Sequence, residues 1–367
     1  MQKSPRPTFV NLILKRLEEL NIPFEDCRGQ SYDNGANMRG TNKGIQAKLL
    51  EINPRALFVP CGAHTLNLVV ADAVKSSVDA TGYFGILHKL YTLFSASTQP
   101  WAIHVDITLK IWTETRWQSK VKSVEPLRYK TAAVREALIE VRDQTKDPVI
   151  KIEAQSLSEK VGSYCFSICT VVWHDILRQI QHVSKLMQSL SMHVDVAVSL
   201  LRKTERSQQL QGNRLYDCTN VSQGYCEGMN VEAVLQEKGL RSTKRHFSYG
   251  SFDEPLSDVL KKLEVTFFNV IVDVATSALQ ERFSTLENVG EKFGVLSTFQ
   301  SLSNEELTEQ CEALSVTLHY KKHSDLDGRE LAQELKNLPD LPSKTMTLLE
   351  LLILIHERKL SELYPHL

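Results

Sequence analysis

Cys27-Arg28-Gly29-Gln30-Ser31-Tyr32-Asp33-Asn34-Gly35-Ala36-Asn37-Met38 decides the fold, together with Pro60-Cys61-Gly62-Ala63-His64-Thr65-Leu66-Asn67. Phe24 to Tyr32 reads as a strand, broken by Asp33-Asn34-Gly35. A helix is expected from Ala36 to about Ile52. A second apolar run, Ala56 to Val59, then leads into Cys61 and His64. A carboxylate at a strand end, beside a glycine-bearing turn, is where α/β folds place their chemistry.

Working outward, Phe9 to Leu20 carries apolar residues on a helical period and is stopped by Asn21 and Pro23. Asn53-Pro54 ends the next helix, and His64 to about Ser76 is helical again. The order α-β-α-β-α calls for an α/β layer. After Val78 the pattern is almost wholly helical. Phe84, Leu87, Leu90, Tyr91 and Phe94 share one face. Val183, Leu186, Leu190, Val194, Ala197 and Leu201 share another, and Leu260, Leu263, Phe267, Val270, Val274 and Phe283 a third. Ser303–Glu306 and Thr347–Glu350 have capping-box spacing. Thr204 to Gly228 is polar and weakly periodic, hence a loop or frayed helix, and His319 to Arg329 is a second expected loop. The expected division is an α/β piece over 1–78 and a mostly helical region over 79–367, with the polar loop near 204–228.

The 367 residues are 42% hydrophobic, enough for a packed core, and their formal net charge of -1 gives no overall attraction to nucleic acid or membrane. The charge is uneven. Val105 to Arg135 holds seven Lys/Arg against three Asp/Glu, whereas Gln300 to Leu367 holds seven against twelve. The basic middle is either a polyanion surface or a set of ordinary solvated helix faces. Seven scattered cysteines form no secreted disulfide framework, so a reducing compartment is expected. The basic start Met1–Arg6 lacks the apolar segment of a signal peptide, and no apolar run reaches about 18 residues, so neither secretion nor a membrane span is expected.

Each chemistry-bearing stretch has two readings. Asp33 is a divalent-metal ligand or, as part of an Asp-Asn-Gly turn, a helix cap. Cys61 and His64 have C-x-x-H spacing without a second pair to complete a zinc site. Cys165, Cys169 and His174 sit among apolar residues and read as core, and Cys218 and Cys226 have no histidine between them. Arg116-Trp117 suits phosphate contact plus base stacking, or simply an amphipathic helix. Arg241-Ser242-Thr243-Lys244-Arg245-His246 is a nucleic-acid or import patch, or a solvated loop. The sequence has no P-loop, no dinucleotide-binding glycine turn and no G-x-S-x-G, which removes support for kinase, dehydrogenase and α/β-hydrolase chemistry.

The motifs R-G-Q-x-Y-D-N-G-A-N-M (Arg28–Met38), P-C-x-A-H-x-L-N-L (Pro60–Leu68), Thr115-Arg116-Trp117 and Glu281-Arg282-Phe283 occur in one order. The series resembles the hAT superfamily of DNA transposases, and within it the transposase-derived zinc finger MYM-type protein 1-like group. The resemblance implies a ribonuclease-H-like core, here with about two strands, and a large helical insertion. It matches Asp33 to the second acidic residue of an Asp-Asp-Glu set that uses Mg²⁺ or Mn²⁺. Cys61 and His64 match a C-x-x-H near that site, and Arg116 and Trp117 the pair that handles the flipped base and hairpin at the cut end. Lys120 and Lys122 join these as candidate DNA contacts.

By the same resemblance the first Asp belongs upstream of Phe9. The Glu, and the dimerisation segment with it, belong beyond Leu367. The expectation is therefore a catalytically inactive fragment or domesticated remnant, holding no cofactor and located in the nucleus or cytoplasm. DNA, or a protein bound through the helical region, are the partners it admits. An active nuclease is expected only if the reading frame supplies the missing ends.

Overall fold

The computed structural model describes residues 9–33, 44–96, 117–189, 192, 194–209, 214–235, 259–321, 323–338 and 348–367. In chain order the elements are α1 (Phe9–Glu19), β1 (Gly29–Gln30), α2 (Ile45–Ile52), β2 (Leu57–Phe58), α3 (Gly62–Lys75), α4 (Val78–Ala96), α5 (Trp117–Gln144), α6 (Pro148–Val161), α7 (Tyr164–Met187), α8 (Val194–Gln209) and α9 (Arg214–Gly228). They continue with α10 (Val259–Phe293), α11 (Val295–Thr298), α12 (Asn304–Thr317), β3 (His319–Tyr320), β4 (His323–Ser324), α13 (Gly328–Lys336) and α14 (Leu348–Glu357). The described chain is mostly helical, with a two-stranded parallel sheet, β1–β2, and a two-stranded antiparallel sheet, β3–β4. It forms two compact units. One takes Met1–Thr65, Leu190–Leu200 and Arg282–Leu367; the other takes Leu66–Ser189 and Leu201–Glu281. This partition sets the last eighty-odd residues with the first sixty-five, whereas the sequence pattern groups 79–367 together.

In the first unit, α1 ends as its sequence requires. Asn21 takes a left-handed φ of 55°, and Ile22 N–H reaches back to Leu17 O at 2.9 Å. Val10 packs with Ile45 and Leu49 of α2, flanked by Ile13, Leu14, Phe24 and Tyr32. The strand expected over Phe24–Tyr32 is shorter. Phe24–Asp26 is one 3₁₀ turn, and pairing is confined to Gly29↔Leu57 and Gln30↔Phe58. The cause is Asn53, whose buried side-chain amide donates to Phe24 O at 2.9 Å and Cys27 O at 2.8 Å and so curls that segment. Parallel pairing needs a crossover, and α2 supplies it. The helix expected from Ala36 begins at Ile45 among the described residues; Ala36–Lys43 lies outside them.

Further along the same unit, Ser303 and Glu306 form the expected capping box at the start of α12. Thr347 of the second box lies outside the described residues, though α14 begins at Leu348. His319–Arg329 is not a loop. Tyr320 and His323 pair across a tight turn in which Lys321 has a φ of 57°, and Asp327 caps α13 by accepting from Arg329 N–H and Glu330 N–H. Lys321 and Asp327 are the turn and the cap of a hairpin-to-helix connection. Leu307, Cys311, Leu314, Leu331 and Leu335 close a small core between α12 and α13.

In the second unit, α4, α5, α6, α7 and α9 pack on one another, and Trp173 of α7 is fully buried. Phe84 meets the Trp173 ring edge-on at 4.9 Å, and Tyr83 lies 5.1 Å from Phe166. The expected 204–228 loop is instead the end of α8 and the whole of α9, with 210–213 outside the described residues. Its buried stripe is Leu215, Cys218, Thr219, Ser222, Cys226 and Met229, a helical period written in thiols and hydroxyls. Thr219 and Ser222 return their hydroxyls to the helix backbone, at Tyr216 O and Cys218 O, so the stripe can face α7 without orphaned donors. The stripe read as continuous from Val183 to Leu201 is divided between α7 and α8.

In α10 a π turn at Glu264–Phe268 adds one residue and rotates the face by roughly 100°. Ile271 and Ala275 are therefore buried, while Val270 and Val274 are half-buried. By length and composition α10 could cross a membrane; its apolar residues nonetheless form a buried stripe, and Lys261, Asp273 and Glu281 are exposed.

Candidate functional site

The β1–β2 ladder runs past its two formal pairs. Leu57 N–H donates to Arg28 O at 3.1 Å, Val59 N–H to Gln30 O at 2.9 Å and Cys61 N–H to Tyr32 O at 3.1 Å. This last bond brings Cys61 beside the backbone of Tyr32 and so next to Asp33, at the carboxyl ends of two parallel strands. Asp33 is exposed; Cys61 and His64 are half-buried. Cys61 also opens α3, its carbonyl accepting from both the N–H and the hydroxyl of Thr65 at 2.9 Å. His64 therefore lies in the first turn of that helix.

Beneath this corner the strand is braced from its side-chain face. Gln30 donates to Ala56 O at 2.9 Å and accepts from the Tyr32 hydroxyl at 2.8 Å, and the Tyr32 ring packs on Phe58 at 5.0 Å. Burial pushes the Tyr32 phenol up to about 12, so it stays a neutral donor. Such a corner presents one carboxylate, one thiol and one imidazole to solvent. Among the described residues no three His, Cys, Asp or Glu side chains gather closely enough to hold a metal ion.

The remaining candidates divide. Arg116 lies outside the described residues, as does the basic cluster Arg241–His246. Trp117 is the first residue of α5, and its side chain is outside them. Lys120 is not a surface contact. It is 0% exposed, and its Nζ lies 3.4 Å from Asn67 O. The helical repeat carries Val121, Val124 and Leu127 into the core, and Lys120 goes with them. Lys122 is exposed, as expected of a charged helix face. Arg128 and Arg135 of the basic middle turn inward, Arg128 over the Tyr225 ring at 5.3 Å and Arg135 to Met229 O at 3.3 Å.

Cys169, His174, Cys218 and Cys226 are buried, and Cys165 is half-buried. Burial pushes the Cys226 thiol up, which suits core packing rather than ligation. Phe283 of the Glu-Arg-Phe motif is buried in the α10 stripe.

Sequence reasoning missed Asn53, read only as a helix stop, and it missed Arg28, Arg55 and Asp325. The first left a trace, since an Asn ahead of Pro in an apolar setting invites a backbone role. Asp325 left none, because its partners are 270 and 297 residues away. Compared with family models, with curated proteins and with solved structures, the chain gives no match.

Proposed function

We propose that this chain is a fragment or domesticated relative of a hAT-type DNA transposase, with β1 and β2 belonging to a ribonuclease-H-like core and the second unit to its helical insertion. The observation that carries the reading is the Cys61 N–H to Tyr32 O bond, which sets Asp33 and the Cys61–His64 pair at the carboxyl ends of adjacent parallel strands. The discontinuous first unit, made of both ends of the chain, is what an inserted domain produces.

In this proposal the function is DNA or protein binding rather than cleavage. Among the described residues no three His, Cys, Asp or Glu side chains converge at this corner, and a lone carboxylate would leave Mg²⁺ or Mn²⁺ mostly water-coordinated, with no second ion to stabilise a leaving oxygen. A nuclear location goes with it. The test is purified protein with labelled DNA and Mg²⁺ or Mn²⁺. Salt-sensitive binding weakened by Lys122→Glu, without cleavage, is expected. Metal-dependent cutting abolished by Asp33→Ala would restore an active nuclease.

A second reading, a protein-interaction module, draws on α6. There Val149 and Ile152, one turn apart, are 70% and 71% exposed. Absence of salt-dependent DNA binding would favour it.

A further inference from the structure

Arg28 precedes β1 and Arg55 precedes β2, and both guanidinium groups converge on Asp325, in the turn between β4 and α13. Arg28 donates to both carboxylate oxygens, from Nη2 to Oδ1 at 2.6 Å and from Nε to Oδ2. Arg55 Nη1 donates to Oδ1 as well. Their other forks share Glu25 O, Arg28 at 2.6 Å and Arg55 at 3.0 Å. Arg55 Nε is buried and has no hydrogen-bond partner. Tyr320 lies under this group, with Arg55 5.7 Å from the ring centroid and Lys321 Nζ 4.9 Å from it. The Asp325 and Arg28 side chains keep 22% and 33% of their exposure, so solutes reach the cluster.

The stoichiometry is uneven. Two guanidinium groups, one with a buried Nε that has no hydrogen-bond partner, converge on one singly charged planar acceptor; Asp26 is a further acid acting on Arg28. Planar guanidinium forks match phosphate as well as carboxylate, and phosphate brings more acceptor oxygens and more charge. We propose that Arg28 and Arg55 form a phosphate-binding site on which the Asp325 carboxylate acts as a built-in competitor. The site uses neither Asp33 nor a metal, so it stands or falls independently of the transposase reading.

The test is NMR of the arginine Nε–H groups in the full chain. Inorganic phosphate is titrated against sodium chloride of matched ionic strength, and a short single-stranded oligonucleotide is run as a second arm. Saturable shifts of Arg28 and Arg55 with phosphate are expected. Asp325→Asn should tighten binding about tenfold by removing the competing charge. Arg28→Lys, which keeps the charge and loses the fork, should weaken it several-fold. Shifts with the oligonucleotide alone would mean that the phosphate must come from a nucleic-acid backbone. The proposal is overturned if neither ligand moves the wild-type signals. It is equally overturned if folded Asp325→Asn binds no tighter, or, should that variant not fold, if Arg28→Lys binds as the wild type does.

Discussion

Asn53 Nδ2 donates to the carbonyl of Cys27 at 2.8 Å, across 26 residues of chain. The same amide reaches Phe24 O at 2.9 Å, and Asn53 Oδ1 accepts from Arg55 N–H at 3.1 Å. With 2% exposure, no water can substitute for it. Asn53→Ala should cost about 1–3 kcal/mol, the penalty of stranding buried carbonyls. Asn53→Asp should cost more, because a carboxylate faces those carbonyls with no proton to give. Urea denaturation of the three proteins checks the order.

Acid should loosen α12 and α13 first. The Ser303 hydroxyl and N–H hold the Glu306 carboxyl below its usual 4.5, and the N–H groups of Glu330 and Arg329 hold Asp327 below its usual 3.8. Folded values below unfolded ones mean stability that is complete above those usual values and lost as pH falls through the folded ones. Amide exchange in the first turns of α12 and α13 should therefore rise below about pH 4.5 and flatten in Glu306→Gln. Protection that grows on acidification would reverse the sign.

Gly328 sits where α13 crosses α12. A Cβ there would meet Glu312 Cα at 2.6 Å and Cys311 O at 2.7 Å, both backbone. Gly328→Ala should destabilise by about 1–3 kcal/mol, because helix axes must separate. Gly162→Ala is the control. Its Cβ meets the Arg135 side chain, with Nε at 2.7 Å, and a side chain can swing aside. Thermal melts should separate the two clearly.

Lys120 and Lys122 should behave oppositely under charge reversal. Lys120→Glu buries a carboxylate against a backbone carbonyl and should cost about 3 kcal/mol or more. Lys122→Glu should leave stability within about 0.5 kcal/mol and act only on binding. Chemical denaturation and fluorescence anisotropy with labelled DNA, run on both variants, resolve the two effects.

Lys359 closes α14 in a left-handed conformation, φ 55°, with Leu360 N–H returning to Ile355 O at 2.9 Å. Glycine adopts that conformation without the Cβ penalty, at some entropic cost in the unfolded chain. Lys359→Gly should thus gain roughly 0.5 kcal/mol, read as slower exchange of the last α14 amides. Faster exchange would show that the lysine side chain contributes more than its backbone costs.

Local features were legible because their causes are local. The α1 stop at Asn21, the Ser303–Glu306 box and the β1-to-β2 order all follow from residues within a few positions of one another. The α9 helix was hidden because its buried face is built from Cys, Thr and Ser, which a search for apolar periodicity passes over. The α10 face was misplaced by a π turn that no composition announces. Asp33 and Cys61 were each read at the end of a strand, and the structure sets those strand ends side by side; the nearness of the Cys61–His64 pair to Asp33 was an implication of the resemblance, not of spacing. Lys120 was misassigned because charge was read without the phase of the helix beneath it, set by Val121, Val124 and Leu127. The pairing of Arg28 and Arg55 with Asp325 depends on how the chain closes, and no window of sequence contains both sides.

During synthesis this closure sets a timetable. Arg28 leaves the ribosome 297 residues before Asp325, so its guanidinium must wait for that carboxylate while the helices between them emerge and pack. The loop entropy of so long a span grows only slowly with its length, yet the delay leaves the Arg28 and Arg55 guanidinium groups without their carboxylate for the whole interval. A chaperone that shields the nascent N-terminal stretch would act in that window.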